Sequence, residues 1–295
     1  MKSKLIFFLF FNFFASIVFS QKAEKFDYEF LGVLMLNKTQ LYSYKLEFNI
    51  DKDSIIGYSY TDIEGDNETK SYVFGTFDEN TNELMFEEKD VLYTKSDVLT
   101  DEFCFIKSRG KLKLRSAKKS FDSDFEGVYP NGEVCASGKI KIVGTKFVQK
   151  KLKKIYKKVK KKKRIDSVVK EKLRPDKILT KFGKTNLNED ETITIFLNKN
   201  QAKFEIWDYG KEDGDIVDVY INGKKVLANL KLKTEKKKLL INLKKGSNTI
   251  EVKTINSGKI KTNTAKIKIY EANRFYEFLS NINKGKSAKI NIVVK

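Results

Sequence analysis

From Leu41 to Ile50 the chain alternates with a period of two, sending Tyr42, Tyr44, Leu46, Phe48 and Ile50 to one face. Successive side chains leave a strand on opposite sides, so a run like this has one buried face and cannot settle as a helix. Comparable runs recur at Tyr28–Leu36, Ile55–Thr61, Thr69–Thr76, Glu83–Glu87, Val91–Lys95, Phe103–Ile106, Phe125–Tyr129 and Cys135–Val143. Turn clusters such as Glu64-Gly65-Asp66 and Pro130-Asn131-Gly132 punctuate them. Short strands at this spacing predict an antiparallel meander closed into a small β-barrel over residues 21–145. Tyr42, Tyr44, Phe48, Tyr58, Tyr60, Tyr72, Phe74 and Phe86 are the aromatics available to its interior. A filled core is the expectation, a ligand cavity the alternative.

Residues 183–295 return to the same pattern, with clear alternation in Asn248–Ile255 and Ala265–Ile269. A two-sheet β-sandwich of jelly-roll type fits them, making the whole chain all-β. Arg274–Leu279 reads equally as strand or helical turn. Within this half, Phe204 and Ile206 end one strand, with Trp207 expected at the core edge, and Ile216, Val217, Val219 and Ile221 start the next. Asn222-Gly223 then supplies the two positive-φ positions of a type I′ hairpin. Between the strands stand Asp208, Glu212, Asp213, Asp215 and Asp218, with Gly210 and Gly214 letting the backbone bend. Hard cations such as calcium take six to eight oxygens, and an acidic, glycine-bearing loop offers them. Asp208, Asp213, Asp215 and Asp218 are the candidate Ca2+ ligands, but an ordinary polar turn is the reading the residues favour. The spacing is not that of an EF-hand.

The formal net charge is +20, and Lys146–Arg164 alone holds eleven lysines and one arginine with no acid. Val148, Leu152, Ile155 and Val159 recur at helical spacing through it, and Pro175 marks where a helix would stop. A lysine-rich helix is thus expected to join the two halves across residues 146–182. A solvated linker helix that packs its narrow apolar stripe on one domain is the first reading. In the second, Lys153, Lys154, Lys157 and Lys158 are candidates for contact with a polyanion, either an anionic membrane surface or an acidic polysaccharide. Trp207 and Tyr209 are the candidates for a binding face on the sandwich. Nucleic acid is not expected, because no zinc-finger spacing or aromatic RNA-binding motif accompanies the basic run.

Lys2 and Lys4 precede an apolar run from Leu5 to Phe14, and Ser20 stands just before Gln21. Residues 1–20 read as a signal peptide, placing the protein in the periplasm or outside the cell, and no later segment reaches membrane-spanning length. Cys104 and Cys135 are the only cysteines, and in an oxidising compartment they read as a disulfide; two buried free thiols are the alternative. Histidine is absent, which excludes Ser-His-Asp, Cys-His and histidine-ligated metal chemistry. No enzyme is expected. A carboxylate-dependent glycan hydrolase is the only catalytic alternative, with Asp62, Glu64, Glu126 and Glu133 as its candidates. The leading expectation is an exported, calcium-stabilised, non-catalytic binding protein; a lipocalin-like small-molecule carrier is second.

The stretch Ile206–Asp215 followed by Val219–Gly223 resembles a pattern in uncharacterised exported two-domain β proteins of Gram-negative bacteria. There a tryptophan-aspartate strand end precedes a D-G-D turn and an N-G hairpin. Leu243–Asn248, Thr262–Ala265, Gly57–Ser59, Glu68–Ser71 and Phe103–Phe105 extend the likeness over most of the chain. The resemblance implies a lipocalin-like first part before a β-sandwich, and brings no assigned function.

Overall fold

Eight consecutive strands each pair antiparallel with the next: β1 (Tyr28–Leu36), β2 (Gln40–Asp51), β3 (Ser54–Thr61), β4 (Thr69–Asp78), β5 (Glu83–Thr94), β6 (Phe105–Lys113), β7 (Ser120–Val128) and β8 (Val134–Gly144). β8 returns to pair with β1 and closes the barrel. The computed structural model that shows this describes residues 26–295 apart from 38, 99–100, 117, 184, 211, 259–261 and 273. The expected signal peptide, residues 1–20, lies outside the described residues.

Phe30, Leu46, Phe48, Leu84, Phe86, Leu112, Phe121 and Ile140 fill the barrel core. Each such side chain contributes about 1.5–3 kcal/mol by leaving water. Tyr44, Phe48 and Phe86 point inward, as the alternation requires. Tyr58, Tyr60, Tyr72 and Phe74 do not, because Ile55, Gly57 and Ser59 hold the buried positions of β3 and Ser71, Val73 and Phe77 those of β4. Tyr58 and Tyr72 pack instead against the core of the second half. Cys104 and Cys135 are joined, their Cα atoms 6.0 Å apart and 31 positions apart in sequence. Reduction should cost the barrel roughly 3–4 kcal/mol. Denaturant melts with and without reductant measure this, and coincident midpoints would show that the bond staples nothing.

The second half is a sandwich of two mixed sheets. One holds β10 (Thr192–Leu197), β19 (Ser287–Val294), β15 (Gly246–Ser257), β12 (Asp215–Ile221) and β13 (Lys224–Lys231). The other holds β14 (Lys237–Asn242), β11 (Gln201–Asp208), β17 (Ala265–Glu271) and β18 (Arg274–Asn283), with β9 (Thr185–Asn188) and β16 (Thr262–Asn263) against β18. Arg274–Leu279, ambiguous in sequence, is therefore strand. β10 runs parallel to β19 and β9 parallel to β18, so both sheets are mixed. Phe204, Ile206, Val219, Ile267, Phe278 and Ile290 form the core between the sheets.

β5 belongs to both halves. Its first residues pair with β6, while Tyr93 and Thr94 pair with Ile195 and Thr194 of β10. Between the halves run α1 (Thr145–Lys160), α2 (Ser167–Lys172) and α3 (Pro175–Lys181). Pro175 begins α3 rather than ending a helix, since the first helical position needs no N–H. Asp166 caps α2 by accepting from the Val168 N–H at 2.6 Å. Among the described residues no helix is long and apolar enough to cross a membrane.

Candidate functional site

β11 and β12 lie in different sheets of the sandwich, and the loop joining them crosses the end of its core. On β11 the inward positions are Ala202, Phe204, Ile206 and then Asp208; on β12 they are Asp215, Val217 and Val219. Register thus places two carboxylates where the pattern demands apolar side chains. Asp208 and Asp215 are 2% and 1% exposed. Asp213, carried by the loop, completes a group in which one carboxylate oxygen from each residue lies within 4.8 Å of the other two.

The loop is tied from several sides. Asp208 N–H donates to the Lys233 carbonyl and Leu232 N–H to the Asp215 carbonyl. Glu212 accepts from the Thr234 N–H and hydroxyl at 2.7 and 2.8 Å, so it braces the loop and stays out of the cluster. Gly258, at φ +56°, lies against Asp213, whose Oδ1 would be 2.3 Å from any added Cβ. Only glycine lets that backbone approach.

Asp208 Oδ1 accepts from the Gly210 N–H at 2.8 Å, and Asp215 Oδ2 from the Thr264 N–H at 3.2 Å. Asp208 Oδ2 and Asp215 Oδ1 are buried with no hydrogen-bond partner. Burial, opposed by the Thr264 N–H and reinforced by the charges of Asp213 and Asp208, pushes the Asp215 carboxyl up to about 6. An orphaned buried carboxylate oxygen costs several kcal/mol unless a proton or cation meets it. Three carboxylates supply at most six oxygens, a set that suits a hard divalent ion completed by water.

Asp218 stands apart. Three residues beyond Asp215 in a strand reverses the face, and its carboxylate meets Lys225 Nζ at 2.6 Å and the Asn229 N–H at 2.7 Å. Lys225 and that N–H hold it below the usual carboxylate range. Trp207 likewise faces outward rather than into the core edge, with Lys236 and Lys266 Nζ at 4.7 and 5.7 Å from its ring. Tyr209 is exposed beside it, with Lys266 Nζ at 5.0 Å. Lys153, Lys154, Lys157 and Lys158 are all exposed on α1. Among the described residues the candidate acid–base carboxylates take separate partners: Asp62 accepts from the Asn67 N–H, Glu64 from the Asn186 amide at 3.4 Å and Glu133 from the Asn131 amide, while Glu126 is exposed on β7.

A cavity of about 830 Å³ follows the ladder row Gly75, Phe86, Ser108, Phe125 and Gly138, with Lys107, Arg109, Asp124 and Glu126 also lining it. Charges of both signs beside three phenyl rings select no ligand class.

A buried network at the seam of the two halves gave no signal in sequence. Lys95 Nζ lies 2.8 Å from Glu191 and 3.6 Å from Glu68, whose other oxygen accepts from Tyr93 OH at 2.7 Å. Thr185 donates to that phenol oxygen at 2.9 Å. Its members come from distant stretches, so no local spacing announces them.

These features define a class: an all-β protein in which a closed antiparallel barrel adjoins mixed sheets that carry a three-carboxylate cluster at the end of their core. No family model, curated protein or solved structure matches the chain.

Proposed function

We propose that this is an exported, non-catalytic binding protein of the cell envelope. Its sandwich is held by a calcium ion at Asp208, Asp213 and Asp215, and its lysine-rich helix contacts a polyanionic envelope component. The observation that carries the reading is the segregation of charge. Lys146–Arg164 concentrates twelve cations without one acid, and its lysines are all exposed. In the sandwich, by contrast, Lys225 pairs with Asp218 and Lys203 with Glu205. The orphaned oxygens of Asp208 and Asp215 support the cation. The Cys104–Cys135 bond and the leader-like residues 1–20 support export. Trp207 and Tyr209 offer the sandwich an aromatic platform for a sugar ring.

Fluorescence anisotropy with labelled alginate, a soluble acidic polysaccharide, tests the polyanion contact. Binding should weaken steeply as salt rises through the range where the Debye length falls below about 10 Å. Replacing Lys153, Lys154, Lys157 and Lys158 by glutamate should reduce affinity more than about tenfold. Salt-insensitive binding, or an unchanged affinity in that variant, would remove the helix from the function.

A further inference from the structure

We infer that the polyanion met by the helical connector is an anionic lipid bilayer, and that α1 and α2 form a surface that rests in its headgroup region. The inference deepens the polyanion contact proposed above and rests on it. Its evidence is the set of apolar side chains that the fold leaves uncovered among the cations.

α1 packs on α3 and against β1 and β8, and it also touches α2. Val148, Leu152, Tyr156 and Val159 are half-covered by those contacts. Ile155 belongs to the same apolar stripe yet is 55% exposed. On α2, Val168, Val169 and Leu173, its C-cap, are 60%, 46% and 38% exposed. Lys151 and Lys158, four before and three after Ile155, are its neighbours on the helix surface, so the apolar tip is framed by ammonium groups. Lys161, Lys162, Lys163 and Arg164 continue the cationic face into the connector, and all are exposed.

The nearby acids do not oppose this face. Asp166 is occupied as the α2 cap, Glu171 pairs with Arg174 and Lys177, and Asp176 pairs with Arg174. Charge alone would suit any polyanion. Exposed isoleucine, valine and leucine separate the candidates, because a polysaccharide or free phosphate offers no hydrocarbon in which to bury them. A bilayer does, at about fourfold in partitioning for each methylene that enters it. Lysines near an anionic leaflet add about fivefold each, screened by salt. Cations around an apolar tip are what interfacial helices use to lie in the plane of a membrane.

The test uses the processed chain, residues 21–295, with its disulfide intact, so that the apolar leader contributes nothing. Sedimentation with phosphatidylcholine vesicles, with and without phosphatidylglycerol, is compared with alginate binding. The protein should sediment only with the anionic vesicles. Ile155→Ser, Val168→Ser and Leu173→Ser combined should weaken that binding about tenfold or more while leaving alginate affinity and the thermal midpoint as in the parent. Lys151→Glu, Lys154→Glu and Lys158→Glu combined should abolish both interactions. If the serine variant sediments like the parent, or alginate binds and vesicles do not, the bilayer assignment is overturned and the general polyanion reading survives. If neither vesicles nor alginate bind, both fall.

Discussion

Calcium added to the metal-free protein should raise its melting temperature by roughly 5–10 °C at about a hundredfold excess over the dissociation constant, and a chelator should reverse the rise. Binding at that excess contributes about 2.7 kcal/mol, and a chain of this size moves about 2–4 °C per kcal/mol. The cause lies in Asp208 Oδ2 and Asp215 Oδ1, buried and unpartnered within the acidic cluster. Asp215→Asn should abolish the response. At neutral pH it should also stabilise the metal-free protein, because it removes a buried charge repelled by Asp208 and Asp213. The pH dependence has a definite sign. Folding raises the Asp215 carboxyl from its ordinary value of 3.8 to about 6, so between those values the folded chain holds a proton the unfolded chain releases. Metal-free stability therefore falls as pH rises through this window and levels off above it. Calcium competes with that proton, so its effect should shrink below about pH 6. Equal midpoints with calcium and with chelator at neutral pH would eliminate the cation site.

Lys95→Met should destabilise the protein by roughly 3–5 kcal/mol, the range for removing one partner of a buried ion pair. The substitution leaves Glu68 buried, with the Tyr93 hydroxyl and the Glu64 N–H as its remaining donors. Adding Glu68→Gln should recover much of the loss, because the uncompensated charge disappears with it. A urea double-mutant cycle reads this coupling. If the two losses simply add, the pair is not coupled. The network lies where β5 passes from the barrel to the sandwich, so its loss should uncouple the unfolding of the two halves. Two separate transitions in the single variant, against one in the parent, would be the visible sign.

Much of the architecture was legible because it is local. Alternation in Leu41–Ile50 predicts the inward Tyr44, Leu46 and Phe48 of β2. Asn222 and Gly223 take φ of 49° and 77°, the hairpin geometry their identities predict. Pairing of Cys104 with Cys135 also followed from the sequence, because they are the only two cysteines. The misreadings share one cause, which is that a residue's type does not say what its strand rests against. Tyr58 and Tyr72 were assigned to the barrel interior, but the sandwich gives their outward face a second core.

The acidic site shows where the boundary falls. The sequence alone determined that two strands flank a carboxylate-rich, glycine-bearing loop, because periodicity and turn chemistry act over a few neighbouring residues. Only the tertiary structure decided that Asp208 and Asp215 turn into the sandwich core while Asp218 turns out to Lys225. Only it brought Gly258 and Thr264 against them, from about fifty positions away in the chain. Burial and charge neutralisation are set by whatever packs across the space, and those partners are chosen by sheet pairing between distant segments, which no local pattern encodes.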